Sequence, residues 1–529
     1  MSMKNILYLT IAGASFCLTS CDDFLDKMPD NRAEVNNATK VTSLLVSAYP
    51  TSTTAPLMEY SSDNAVDNGV LYSIYQPIEE AAYLWKDDTN TGNDDPKRVW
   101  DAHYGATASA NQALQAIEEM GNPESLNPQR GEALIARAYN HFALACCFCL
   151  AYNPETADKD FGLPYAEKPE TQVKVEYHRG TMKELYDKIE KDIEEGLPLI
   201  NDESYTVPKY HWNRKAANAF AARFYLFRQE YQKAIDCANV VLGNDPTTMF
   251  RNWAEMNGMA NADDRENAYI NASQNANLII MPVVSAAPYI LGRYSQATRY
   301  AFSIALARTV LRSANVWGAY NRESPGTYLG AALYGSDQKV SCPIVGAYFE
   351  YIDKANGVGY LHGVTVPFTT EETILVRAEA NTLLGNTAAA MTDINYFIHN
   401  VGAKRATYTA EQIDDFYQSL NYCPLNIPNA ATNETDRTIK MKLNPLGYKV
   451  ESGVQESLIH FILTMRRVMT IHQGNRFMDI KRYGIEIAHN RTGQTDDVLT
   501  LDDPRRAIQL PQDVIEAGLE ANPRNFDNK

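Results

Sequence analysis

Residues 215–243 read KAANAFAARFYLFRQEYQKAIDCANVVLG, and their spacing predicts two helices, Lys215 to Phe227 and Glu230 to Leu242, folded back on each other through a very short turn. Ala217, Ala221, Tyr225, Tyr231, Ala234, Ile235 and Ala238 alternate small and large side chains, which lets two antiparallel helices approach closely. Gly243 stops the second helix. The design returns downstream. Thr369 and Glu372 cap a helix that runs through Leu384, Gly385 ends it, and Ala388 to Asn400 comes back. Upstream, Thr181 with Glu184 forms a capping box, and Met182, Leu185, Ile189, Ile193 and Leu197 follow at three- and four-residue spacing opposite a charged face.

Such hairpins are similar to tetratricopeptide-type repeats, but they lie far apart in the chain. The expectation is a mainly α fold with degenerate helical hairpins as scaffold, not a regular solenoid. A first helix is expected near Val41 to Tyr49. Gly243 to Phe368 is rich in Tyr, Asn, Ser, Gly and Pro with short apolar runs such as Leu278 to Val284, and Tyr408 to Gln455 is a second loop-rich insertion. Long ordered loops on a helical scaffold are where binding functions usually lie.

The N-terminus carries a processing signal. Lys4 is its only charge, Ile6 to Leu18 is apolar but too short to span a bilayer, and Leu18-Thr19-Ser20-Cys21 precedes Asp22 and Asp23. This resembles the lipobox of bacterial lipoproteins, which implies a signal peptide over residues 1–20, acylation of Cys21 by palmitate-type chains, and a polar tether to about residue 40.

With 48 lysines and arginines against 65 aspartates and glutamates, the net charge of -17 opposes nucleic acid as a partner. Cys146 and Cys149 form a CxxC, yet they sit in Ala133 to Leu150, an almost uncharged helical run without a βαβ pattern, so core packing is expected. HExxH, the P-loop, GxSxG and Gly-rich dinucleotide motifs are all missing from the sequence, and the nine histidines are scattered, so no enzyme activity is expected. Glu79-Glu80 and Asp94-Asp95 read as solvated surface acids. No cofactor is expected. Oxygen-rich loops at Asp63 to Gly69 and Asp87 to Asp95 leave a structural calcium ion open, although neither fits an EF-hand.

An ordered set of motifs points to one family. Cys21-Asp22-Asp23-Phe24-Leu25-Asp26, Trp85…Trp100-x-x-x-Tyr104…Asn111 and Gly131-Glu132-Ala133…Arg137-Ala138-Tyr139 resemble the N-terminal half of SusD/RagB-like outer-membrane lipoproteins of Bacteroidetes. Arg377-Ala378-Glu379-Ala380…Gly385, Gly474-Asn475-Arg476-Phe477-Met478-Asp479-Ile480-Lys481-Arg482-Tyr483-Gly484 and Leu510-Pro511…Asn522-Pro523 resemble its C-terminal signatures. The resemblance implies one SusD-like domain over residues 41–529, with an N-terminal part to about residue 245. It also implies a cell-surface lipoprotein that captures a nutrient, oligosaccharide or, in the RagB-like variant, oligopeptide, and delivers it to a SusC-like TonB-dependent barrel. A lid with little affinity of its own is the remaining alternative. One departure stands out: Thr464-Met465-Arg466-Arg467 lacks the acid of the family's usual Glu-Arg pair, so one helix-helix salt bridge is not expected.

The aromatic residues suggest where ligand would sit. Tyrosines number 32 against 17 phenylalanines and gather in the loops, and a rigid ring with a polar tip can stack on a sugar or a peptide side chain. The sharpest candidates are Trp317 and Tyr320 as a stacking platform, Tyr289, Tyr294, Tyr72 and Tyr75 as flanking contacts, and Arg293 or Asn321 as polar readers. Trp85, Trp100 and Trp212 are assigned to the core, and Arg476, Lys481 and Arg482 to buried pairing or helix ends.

Overall fold

The computed structural model describes residues 35–170, 176–295, 297–321, 326–331, 333–425 and 438–524. Cys21 and its tether to residue 34 lie outside the described residues. Among the described residues the first helix is Ala38–Leu45, continued by a tight turn at Val46–Ala48. Helices Pro96–Glu119 and Asn127–Phe148 then pack on each other, and Met182–Gly196 packs on the second of them. The capping box forms as expected: Glu184 N–H donates to Thr181 Oγ1 at 3.2 Å, and Thr181 N–H donates to Glu184 Oε2 at 2.8 Å.

The opening hairpin is Arg214–Arg228 and Tyr231–Leu242. Asn213 Oδ1 accepts the Ala216 N–H at 3.0 Å, and Gln229 at φ 70° makes the reversal. The downstream hairpin is Thr370–Leu383 and Thr387–Val401. Although the whole of 243–368 separates them in sequence, Tyr231–Leu242 packs directly on Thr370–Leu383. Arg377 joins the layers, donating to Asn239 at 2.9 Å and pairing with Asp393 at 2.6 Å. The degenerate hairpins are therefore neighbours in one stack. Trp85, Trp100 and Trp212 are all buried, and Trp212 shares an aromatic cluster with Tyr139, Phe220 and Phe368.

Within the insertion, the apolar run forms the buried strand Asn277–Val283. It pairs antiparallel with Val358–Thr369, which pairs in turn with the edge strand Gly346–Asp353. Beyond the end of Asn277–Val283 this becomes a two-stranded ribbon that leaves Tyr348, Phe349, Tyr351 and Tyr360 exposed.

The C-terminal helices Val454–Met469 and Asn475–Arg482 close against this stack through buried charge. Arg466 approaches Glu379 to 2.6 Å, and Arg482 and Tyr483 donate to Glu379 at 2.9 and 2.6 Å. Although Thr464-Met465 offers no acid, Arg466 is paired across helices, with Glu379 and Asp479 as its partners. Arg476 holds Asp63 at 2.7 Å, and Lys481 donates to the carbonyls of Cys146, at 2.8 Å, and Cys149, so the basic residues of this motif are buried and paired as expected. Cys146, Cys147 and Cys149 are free thiols, and burial pushes Cys146 up to about 12, which fits core packing and not redox chemistry.

Two expectations are corrected. Glu79, Asp94 and Asp95 are buried, not solvated. Glu79 Oε1 accepts the Gln76 N–H at 2.7 Å to cap the Pro77–Tyr83 helix, while Asp94 accepts from Ser285 and from Ala286 N–H at 2.7 Å, tying two segments together. The first calcium loop is not available either. Asp63 is occupied by Arg476 and Arg467, and Asp67 by Arg299 at 3.0 Å and by backbone N–H groups. Among the described residues no group of three or more His, Cys, Asp or Glu is placed to hold a metal ion.

Candidate ligand-binding site

Two loop segments far apart in sequence are brought together by a short antiparallel pair, Val66 opposite Ala301 and Asp67 opposite Tyr300. Asp67 locks the join. Burial favours its neutral form, but Arg299 and the N–H groups of Gly69 and Thr492 outweigh this and hold its carboxyl below the usual range. The segment following Asp67 carries Tyr72 and Tyr75. The segment preceding Tyr300 carries Tyr289, Arg293 and Tyr294.

Across this junction Tyr75 stacks on Tyr289, with ring centroids 5.6 Å apart and planes 13° apart, and Tyr294 meets Tyr289 edge-on at 6.3 Å. Tyr75 and Tyr294 are 48% and 38% exposed, so faces of the cluster remain open to solvent. The Arg293 guanidinium lies 4.7 Å from the Tyr294 ring centroid and pairs with Asp263 and, at 3.1 Å, with Glu266. Burial pushes the Glu266 carboxyl up to about 7 although Arg293 pulls the other way. A turn at Ala287–Ile290 presents Tyr289, and Gly292 keeps it tight, since a Cβ there would lie 2.6 Å from the Pro288 carbonyl oxygen. Tyr72 is half-buried at the edge, its N–H donating to Gly69 O at 3.2 Å.

The structure thus gathers Tyr75, Tyr289, Tyr294 and Arg293, four of the residues singled out by sequence. The pair placed at the centre of the expected platform fares differently. Trp317 is only 9% exposed, packs edge-on against Phe461 at 6.2 Å, and lies where any side chain at Gly326 would collide with its indole. Its ring is a core element, not half of a platform. Tyr320 is half-buried with Arg312 4.9 Å from its ring centroid, and it lines a cleft of about 540 Å³ with Phe416, Leu420 and Ile439; Asn321 beside it is exposed. Sequence reasoning passed over Glu266 and Lys339 beneath the cluster and took Glu79 for a surface acid. Of these only Glu79 left a local signal, as the third residue of a helix opened by Gln76-Pro77.

Residues 23–226 match the family model SusD-like_3, described as starch-binding associating with outer membrane. The fold is SusD-like. Solved structures agree on the fold. A SusD superfamily protein from Bacteroides vulgatus ATCC 8482 superposes with a TM-score of 0.62 at 18% identity, covering 92% of this chain and 98% of its own. One from Bacteroides thetaiotaomicron VPI-5482 gives 0.61 at 17%, covering 92% and 99%. A putative sugar binding protein from Bacteroides vulgatus ATCC 8482 gives 0.61 at 17%, covering 93% and 99%. No curated protein matches the sequence. The described residues include no helix long and apolar enough to cross a membrane.

Proposed function

We propose that the protein is a non-catalytic, outer-membrane lipoprotein that binds oligosaccharide on the Tyr75, Tyr289 and Tyr294 cluster and passes it to a SusC-like TonB-dependent barrel. The observation that carries this reading is the partly exposed tyrosine stack on a SusD-like fold. Tyrosine rings offer large, rigid contact area and a polar edge, which suits the apolar face and hydroxyl rim of a pyranose. Tyr72 and Arg293 border the stack, and Tyr320 with Asn321 offers a second contact.

Isothermal titration of the chain from Asp22 onward, starting with maltoheptaose and extending to a glycan panel, tests the ligand class. Tyr75→Ala and Tyr294→Ala should each weaken binding roughly 2- to 12-fold, the equivalent of about 0.5–1.5 kcal/mol per aromatic contact. Binding to oligopeptides with none to any glycan would replace this reading with the RagB-like one. Unaltered affinity in both alanine variants would remove the tyrosine cluster from it.

The anchor is a separate element of the proposal. Cys21→Ala should shift the protein from the membrane fraction to the soluble fraction while glycan affinity stays unchanged. Retention on the membrane would mean another attachment.

A further inference from the structure

Behind the tyrosine cluster lie two buried ionisable side chains. Lys339 is 4% exposed, and its Nζ donates to the Tyr289 carbonyl and, at 2.7 Å, to Ser295 Oγ. Glu79 is fully buried, and its Oε1 accepts the Tyr75 N–H at 2.9 Å and the Gln76 N–H at 2.7 Å. One cation therefore fastens the backbone that carries Tyr289, and one anion fastens the backbone that carries Tyr75. These are the two rings that stack.

Glu79 also caps the Pro77–Tyr83 helix, whereas Lys339 has no such local role. Taking a lysine out of water without a close carboxylate is unfavourable, and among its described neighbours Lys339 contacts only a carbonyl and a hydroxyl. Burial lowers its ammonium to about 8 despite the attraction of Glu79, and raises the Glu79 carboxyl to about 7 despite Lys339 and the N–H groups it accepts. A small internal cavity beside Lys339 is lined by Glu59, Tyr60 and His472, the other titratable groups that face it. His472 is held neutral by burial, at about 3, and Glu59 is occupied by the N–H groups of His472 and Gly474 at 2.8 and 2.9 Å. Around Glu79 the further groups are Thr298 and Tyr60.

We propose that Lys339 and Glu79 are the positioning residues of the tyrosine platform: each fixes one of its two backbone segments, and the register of the Tyr75–Tyr289 stack depends on both. This rests on the cluster being the ligand site, but the clamp itself has a ligand-free readout. Hydrogen exchange at residues 72–77 and 287–295 follows the two segments directly. Lys339→Met removes the donor at similar length and relieves a buried charge. It should speed exchange over 287–295 by about tenfold or more while leaving the urea midpoint unchanged or raised. Glu79→Ala should likewise speed exchange over 72–77, with a modest fall in the urea midpoint from the lost helix cap, and Glu79→Gln, which keeps an acceptor oxygen, should restore protection there.

For binding, affinity for maltoheptaose, or for whichever panel glycan binds, should fall at least fivefold in Lys339→Met. The wild-type affinity should also decline above about pH 8, where Lys339 loses its proton, and Lys339→Met should lack that alkaline limb. Unchanged exchange at both segments overturns the clamp. Faster exchange with no glycan binding by the wild type leaves the clamp standing and overturns the oligosaccharide reading instead.

Discussion

Replacing Glu379 with alanine should destabilise the protein by about 3–5 kcal/mol, the usual effect of removing one partner from a buried ion network. Glu379 is completely buried on the Thr370–Leu383 helix and receives Arg466, Arg482 and the Tyr483 hydroxyl. Burial by itself would raise its carboxyl, but Arg466 and Arg482 outweigh burial and hold it at about 2. Both guanidiniums are nearly inaccessible, and without Glu379 they share only Asp479. One positive charge is then left in the interior without a directly paired carboxylate, with only the more distant Glu372 acting on Arg466. Urea unfolding measures the loss. The companion variant Glu379→Leu with Arg466→Met removes charge from both sides and should recover most of the stability, because a well-packed apolar pair commonly replaces a buried salt bridge at little cost. A single-variant effect below about 1 kcal/mol would mean that water reaches this network.

How much of this was legible in sequence follows from the range of the forces involved. The helical hairpins were, because capping and three- to four-residue periodicity are local: Thr181 with Glu184, Thr369 with Glu372 and the glycines 243 and 385 act within a turn or two of themselves. The pairing of the hairpins was not, since Tyr231–Leu242 finds Thr370–Leu383 only after 243–368 folds out as the sheet and its loops. Trp317 misled for the same reason. It sits among turn-forming residues, and only the distant Phe461 and the bare Cα of Gly326 show that its ring faces inward. Glu79 and Asp94 looked like surface acids because adjacent carboxylates in an acidic chain usually are, whereas here each is occupied by backbone N–H groups that tertiary folding delivers. The tyrosine cluster was legible as a set of residues, but its stacking geometry was not.

The same buried titratable groups predict an unusual pH profile: stability nearly flat from pH 7 to about 5, then a steep fall below about 4.5. Two sets of groups oppose each other. Burial raises the carboxyls of Glu59, Glu79 and Glu266 to about 7 and of Asp94 and Asp95 to about 6. The native state therefore binds more protons than the unfolded chain between those values and about 4, and these groups add stability as pH falls through that window. Burial lowers His103 to about 4 and His141 and His472 to about 3, and it also lowers His460 and His489, so five histidines stand against the five carboxyls. For them the unfolded chain binds more protons below about 6.5, so their contribution is lost as pH falls, by about 1.4 kcal/mol per group per pH unit. The two slopes nearly cancel down to about pH 5. Below about 4.5 the acids become protonated in the unfolded chain as well and their gain fades, while the histidine loss continues, joined by Glu379 and Glu456, whose contributions are present above 4.5 and lost towards 2. His141 shows why its protonation is resisted. One ring nitrogen faces the Arg137 carbonyl at 2.9 Å and the other accepts the Ala166 N–H at 3.1 Å, a neutral tautomer with no place for a second proton. Urea midpoints at pH 7, 5.5 and 4 trace the profile, and His141→Gln should make its acid limb shallower. Stability that keeps rising to pH 4, or an acid limb unchanged in His141→Gln, would show that the carboxyls and not the histidines govern acid unfolding.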